Sequence, residues 1–423
     1  MKVLWIVNML LPDIASHINK HTSVRRSGTW LDNWLSEIRT CNDVELAIAC
    51  ISGKQFLDVT LNNVRYFVIP GNGKTMLLYN KKIQKYWDKI EDNFNPDIVH
   101  IHGTEYTHSV SYMRKNPNKK YVLSLQGLIG PIEREYYGGL SFWTALKFRT
   151  IKEWLSFSGV IEKKLLYKRN LKYEQEIIKK ANVCIGRYDF DKYYVKSINK
   201  DVSYEKCYYS LRDEFYSSKK WEIERVKPYT IYAGASLTSP LKGGHIMLNA
   251  LEIVKRQYPN VKVFFVGVGN SSGKLVISSG YRKYISSIIK RKKLQNNVEF
   301  LPALSAQEII DTMLKCRCVV IPSAMDNGST MLREAMHLGL PSIAAFRGGL
   351  TGLIQDGKTG YFFDYAEDSF LAGRIIKLFK DDEVCKSLSA NAIVESSIWH
   401  DRQVNAGKLI EIYRNVINRR DGR

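Results

Sequence analysis

The sequence predicts an α/β protein made of two doubly wound, Rossmann-like domains, and two observations carry that prediction. Short apolar runs bounded by turn residues alternate with stretches of helical length, the pattern of a parallel sheet covered on both faces. The alternation breaks off near residues 217–227 and then begins again.

Taken in order, the first set of runs is Val3–Val7, Val44–Cys50, Ile98–His102, Tyr121–Leu125 and Val183–Gly186. The opening run could be mistaken for a signal peptide, but it carries one cation, Asn8 interrupts it and no small-residue cleavage site follows. It reads as a first strand. The second set is Tyr229–Ala233, Val261–Val266, Val298–Leu301, Cys318–Ile321 and Pro341–Ala345. Amphipathic segments lie between, such as Gly244–Arg256, where Ile246, Leu248, Ala250, Leu251, Ile253 and Val254 recur at helical spacing. After Ile398-Trp-His-Asp401 the stretch Val404–Ile417 reads as a closing helix. The expected domains are therefore 1–219 and 220–398, with 399–423 packing back on the first. Ligands of such sheets sit at the carboxyl ends of the strands, so the expected reaction site is a crevice between the domains.

Composition agrees and narrows the class. A chain of 423 residues, 45% apolar and 25% charged, suits two or three domains at ~150 residues each and excludes wholesale disorder. Lys and Arg number 63 against 42 Asp and Glu, a formal charge of +21, so an anionic partner is expected. The seven cysteines are scattered, and Cys316 and Cys318 stand too close together for a zinc knuckle, which points to a reducing compartment. No apolar run approaches the ~20 residues of a membrane span.

The segment Ser141–Lys172 differs in character. Trp143, Phe148, Trp154, Phe157, Ile161, Leu165 and Leu166 alternate with Lys147, Arg149, Lys152, Lys163, Lys164, Lys168, Arg169 and Lys172, opposed only by Glu153 and Glu162. Bulky apolar residues among cations suit an anionic membrane surface. The competing reading is a solvated helix whose aromatic face packs on its own sheet.

Chemistry concentrates in Ile321-Pro-Ser-Ala-Met-Asp326-Asn-Gly-Ser-Thr330, continuing through Glu334 to Gly339 and Pro341. This reads as strand, loop, helix and turn. A helix starting near Ser329 would aim the amides of Ser329, Thr330 and Met331 at a phosphate, while Asp326 and Glu334 accept hydrogen bonds from polyol hydroxyls on either side. In Tyr232-Ala-Gly-Ala-Ser236 through Lys242-Gly-Gly-His245, Lys242 precedes a helix and could neutralise a leaving diphosphate.

These features together resemble the nucleotide-sugar-dependent glycosyltransferases of family 4, retaining enzymes with the two-Rossmann GT-B fold. The markers are Asp326-x7-Glu334 in place of the family's Glu-x7-Glu, Arg347-Gly-Gly349 and Asp356-Gly-Lys-Thr-Gly360. Ser27-Gly-Thr-Trp-Leu31, His102-Gly-Thr-Glu105, Ser124-Leu-Gln-Gly-Leu128, Ile185-Gly-Arg187 and Leu211-Arg-Asp-Glu-Phe-Tyr216 extend the likeness to bacterial surface-polysaccharide members over the amino-terminal half. The resemblance implies an acceptor-side first domain and a nucleotide-sugar-binding second one. It implies that Glu334 binds the ribose, that Asp326, Asn327, Gly328, Ser329 and Thr330 hold the donor sugar and diphosphate, and that Lys242 neutralises the phosphates. Gly28 would let the first loop approach the donor. Asp326 is shorter than the family's Glu, Gln126 stands where many members carry His, and Ala235 or Ser236 replaces a phosphate-binding Arg.

Gln126 keeps an acceptor and two donors for a sugar hydroxyl but cannot carry a proton. His108 is a candidate acceptor contact, while His100 and His102 read as packed. Arg187 reads equally as a phosphate contact or a structural ion pair. The implied activity is a retaining, metal-independent hexosyltransferase that moves a hexose from a nucleotide diphosphate sugar to a lipid-linked surface glycan. It needs no cofactor, is cytoplasmic and peripheral on the inner face of the membrane, and binds no nucleic acid. Two alternatives stand beside it. Asp189-Phe-Asp191 spells the metal-carboxylate motif of the GT-A glycosyltransferases, and the +21 charge with 25 tyrosines would suit a non-enzymatic nucleic-acid binder, although no such module is recognisable.

Overall fold

The computed structural model describes residues 1–18, 29–234 and 237–419. It divides into two compact units, one of Met1–Ile129, Arg169–Arg212 and His400–Arg423, the other of Gly130–Lys168 and Asp213–Trp399.

The first unit holds β1 (Lys2–Ile6), β2 (Glu45–Ile51), β3 (Leu57–Leu61), β4 (Val64–Ile69), β5 (Ile98–His102), β6 (Lys120–Ser124), β7 (Val183–Gly186) and β8 (Ser203–Lys206). Their order in one sheet is β3-β4-β2-β1-β5-β6-β7-β8, parallel except for the β3–β4 hairpin. Side chains alternate across β1 with the period of a strand: Leu4 and Ile6 enter the core on one face, Val3, Trp5 and Val7 the core on the other. The second unit holds β9 (Thr230–Ala233), β10 (Lys262–Val266), β11 (Val298–Leu301), β12 (Cys318–Ile321), β13 (Ser342–Ala345) and β14 (Tyr361–Phe363). They form an all-parallel sheet in the order β11-β10-β9-β12-β13-β14.

Each apolar run singled out in the sequence is a strand, displaced by at most one residue at either end. Four strands were not among those runs, although β4 contains the apolar stretch Tyr66–Ile69. β8 is a polar edge strand, β14 has three residues, and β3 and β4 form a hairpin whose turn, Asn62-Asn63, lies in the left-handed region at φ 49 and 62, as a two-residue hairpin requires.

The division of the chain corrects the boundary expected at 219. Residues 130–168 belong to the second unit, held there by polar contacts. The Gly138 carbonyl accepts from the Tyr365 hydroxyl at 2.9 Å and from His245 Nε2 at 2.8 Å, and Glu153 Oε2 accepts the Gly280 N–H at 2.9 Å. The distinctive composition of Ser141–Lys172 overlaps this excursion but does not say which unit it joins. Helix Arg402–Asn418 buries Leu409, Ile412, Tyr413 and Val416 in the core that contains Val3 and Trp5. Trp5 Nε1–H donates to the Tyr413 hydroxyl at 2.9 Å, and that oxygen lies 2.6 Å from His100 Nδ1. Nε2 lies 2.7 Å from Ser124 Oγ, so both ring nitrogens have a hydroxyl partner. Burial holds the His100 ring neutral, with its pKa pushed down to about 3. All seven cysteines are free thiols. Among the described residues no helix is long and apolar enough to cross a membrane.

Candidate active site

In the second sheet the chain runs outward from β9 to β10 and β11, then returns to place β12 on the other side of β9. Ligands of an open α/β sheet bind outside the carboxyl ends of such a pair. Lys242 follows β9 and Asp326 follows β12. Two contacts stitch the loops together: the Ala324 N–H donates to the Leu241 carbonyl at 2.8 Å, and Gly243 turns at φ +69 with its α-carbon against the Pro322 carbonyl. A β-carbon there would stand 1.5 Å from that oxygen.

The outcome is an ion pair, Lys242 Nζ to Asp326 Oδ2 at 2.7 Å. The backbone of Asp326 is fixed as well, because its carbonyl accepts the Gly349 N–H at 2.8 Å and packs against Gly348, whose φ of +55 and close approach leave no room for a side chain. The pair lines a cavity of about 320 Å³ with Ala233, Gly234, Val266, Gly328, Ser329, Thr330 and Met331. Helix Thr330–Leu338 points its amino end into this space. Ser329 is its N-cap, with the hydroxyl accepting the Leu332 N–H at 3.3 Å. The first bond of the helical ladder runs from the Arg333 N–H to the Ser329 carbonyl, which leaves the Thr330 and Met331 amides ahead of it. A cation, a helix amino end and a carboxylate thus share one volume, a set of groups suited to an anion bearing hydroxyl groups.

Asp326, Lys242, Gly328, Ser329 and Thr330 are therefore brought together. Asn327 and Glu334 are buried and do not line the cavity, Glu334 lying one turn inside the helix. Gly28, Ala235 and Ser236 lie outside the described residues. A larger recess of about 480 Å³ near β13 and β14 includes Arg347 and the Arg374–Asp356 ion pair at 3.0 Å but none of the predicted site residues.

In the first sheet the corresponding reversal lies between β1 and β5, and Gln126 follows β6 beside it. His108 is buried at the start of helix His108–Lys115, its pKa pushed down to about 4 by burial, so it is packed rather than presented. Arg187 is buried too; its Nη2–H donates to the Leu125 carbonyl at 3.0 Å and its guanidinium lies over the Tyr209 ring at 4.7 Å. Asp191 Oδ2 accepts the N–H groups of Arg187 and Tyr188 at 2.8 and 3.3 Å, closing the first turn of its helix. Sequence reasoning assigned no role to Glu105. Its Oε1 accepts the Gly127 N–H at 2.6 Å, and a β-carbon on Gly103 would meet Glu105 Oε2 at 2.4 Å and Gln126 Cδ at 3.2 Å, so the acid and the amide rest against one glycine. Burial pushes the Glu105 carboxyl up to about 7 against the backbone N–H groups that pull it down. The available signal was an acid just past the strand that flanks the reversal.

Comparison with known proteins follows this geometry. Residues 215–394 match the family model of the glycosyl transferases group 1. The D-inositol 3-phosphate glycosyltransferase of Corynebacterium urealyticum is 25% identical over 178 residues, covering 42% of this chain and 41% of that protein. The N-acetyl-alpha-D-glucosaminyl L-malate synthase of Bacillus anthracis is 23% identical over 220 residues, covering 52% and 54%. The chain thus spans about half the length of the curated relatives it matches. Among solved structures, sucrose-phosphate synthase from Thermosynechococcus elongatus superposes with a TM-score of 0.71 at 14% identity over 98% of both chains. Anabaena Alr3699/HepE in complex with UDP and glucose superposes with a TM-score of 0.68 at 17% identity, over 98% of this chain and 100% of that one. The fold is GT-B, and the family 4 resemblance read from the motifs is met by the group 1 match over residues 215–394.

Proposed function

We propose, from the group 1 glycosyltransferase match of residues 215–394, that the protein is a retaining hexosyltransferase using a nucleotide diphosphate sugar. The acceptor in this reading is a hydroxyl of a growing, lipid-linked surface polysaccharide at the inner face of the cytoplasmic membrane. One observation carries it: Lys242, Asp326 and the amino end of helix Thr330–Leu338 line a single cavity at the β9/β12 reversal. The diphosphate lies on the Thr330 and Met331 amides, and Lys242 neutralises the charge that develops as the glycosidic bond to the phosphate breaks. The carboxylate of Asp326 holds the ammonium in place before the donor arrives and accepts a donor hydroxyl afterwards. Glu334 takes the ribose in this reading, from its place one turn inside the helix whose amino end enters the cavity. The leaving phosphate deprotonates the incoming hydroxyl on the same face, so neither a metal nor a separate strong base is required, and Gln126 orients a sugar hydroxyl without moving a proton.

Relatives support the two substrates at a coarser level. Alr3699/HepE was crystallised with UDP-glucose, which puts that donor first in any panel. The names of the curated relatives point to inositol phosphate and malate acceptors, so a hydroxyl acceptor is common ground. Lys242→Ala and Glu334→Ala should each lower transfer by about 100-fold or more while thermal unfolding stays within a few degrees of the parent. Near-normal kinetics in both would refute the site. EDTA should leave turnover intact, and a product with inverted anomeric configuration would refute retention.

A further inference from the structure

Residues 141–168 fold into helices Phe142–Lys147 and Ile151–Ser156 and the start of helix Val160–Lys180. The face turned to the rest of the second unit combines apolar side chains such as Phe148 and Val160 with charged and capping groups. Glu153 is buried, accepts the Gly280 N–H at 2.9 Å and closes a capping box with Thr150, while Arg149 pairs with Glu162. Phe148 meets Tyr284 at 5.0 Å between ring centroids, and the void left beneath is about 20 Å³, room for one water at most. The opposite face carries the large apolar side chains: Trp143 is 74% exposed, Ile151 79%, Trp154 61% and Phe157 77%. Lys147, Lys152, Lys163 and Lys168 are exposed among them. Ordinary folding puts such residues inside, and several large apolar side chains exposed on one short segment mark a contact surface.

We propose that this segment, fixed by its ion pair and cap, is the surface by which the protein lies on an anionic lipid bilayer. Tryptophan and phenylalanine on short helices suit the headgroup boundary, where a ring buries its apolar body and the indole N–H keeps a polar neighbour. The interleaved lysines select for negative headgroups, each adding about fivefold in affinity near the surface. A protein partner would need a matching apolar face ringed with acids; a bilayer supplies both features without shape complementarity. The inference gives the membrane part of the proposed function a location but needs neither donor nor acceptor, so an inactive protein could still confirm it.

The test is co-sedimentation of the full chain with vesicles of phosphatidylcholine plus phosphatidylglycerol, against phosphatidylcholine alone, at low and high salt. Binding should require the anionic lipid, weaken with salt and blue-shift tryptophan emission. The variant Trp143→Ser/Trp154→Ser/Phe157→Ser should bind about 100-fold more weakly with an unchanged melting temperature, because the replaced side chains face outward. A second variant, Lys147→Gln/Lys152→Gln, keeps the apolar face and should lose selectivity for phosphatidylglycerol. Absence of binding to anionic vesicles, equal binding by the serine variant, or a parent dimer that this variant converts to monomer would each overturn the proposal.

Discussion

Glu105 shows how much a single side chain can depend on its burial. Its carboxyl titrates at about 7 instead of the usual 4.5, so between those values the folded chain holds a proton that the unfolded chain has released. Stability is then lost as pH rises through this window. Glu105→Gln should remove that contribution, and the difference in melting temperature between variant and parent should grow in the variant's favour from pH 5 to pH 7.5 or so. A constant difference would show that the carboxyl titrates normally. The neighbouring histidines act in the opposite sense: His108, held neutral with a pKa of about 4, withdraws stability as pH falls from 6.5. For that reason the comparison is made between two chains that share it. Residue identity was legible in the sequence where chemistry is unusual, as with Lys242 and Asp326, whose motifs name them. It was not legible for His108 and Arg187, because no spacing rule tells a histidine or arginine packed beneath a loop from one presented above it. The loop backbone decides that, and a single sequence does not encode it in any short pattern.

At the level of elements, the site rests on two loops whose mutual approach depends on Gly243. Its φ of +69 and the Pro322 carbonyl 1.5 Å from where a β-carbon would stand make Gly243→Ala a change that must push the loops apart. A cost of about 2–4 kcal/mol is expected in urea unfolding, together with loss of the donor-induced rise in melting temperature, since Lys242 moves with its neighbour. Full stabilisation by UDP-glucose in that variant would mean the loops are not coupled. The strands that frame these loops were readable because buried parallel strands are continuous apolar runs. Those missed, β3, β4, β8 and β14, lie at or next to the edges of their sheets; short length or polar residues erase the run in β3, β8 and β14, whereas β4 keeps the apolar stretch Tyr66–Ile69. Helix Thr330–Leu338 begins one residue later than the spacing suggests, because Ser329 serves as cap rather than first turn.

For the whole molecule, the doubled architecture was plain from the repeated alternation, whereas the path of the chain between the units was not. The chain passes from one unit to the other after residues 129, 168, 212 and 399; Gly130-Pro131 stands at the first of these points, and the other three carry no glycine-rich or proline-rich linker that composition could detect. The last passage has a measurable effect. Leu409, Ile412, Tyr413 and Val416 complete the core around Trp5, and their burial is worth about 6–12 kcal/mol together, comparable with the entire stability of a domain. A chain ending at Trp399 should leave the first unit unfolded, seen as loss of near-ultraviolet signal and rapid proteolysis of residues 1–129, while a folded first unit in that truncation would contradict the packing. Synthesis adds a constraint of its own. Trp5 and His100 obtain their shared hydroxyl partner, Tyr413, 408 and 313 residues further along the chain. On the ribosome the sheet therefore keeps an unfinished apolar face until that helix emerges, the interval in which a chaperone would be expected to hold it.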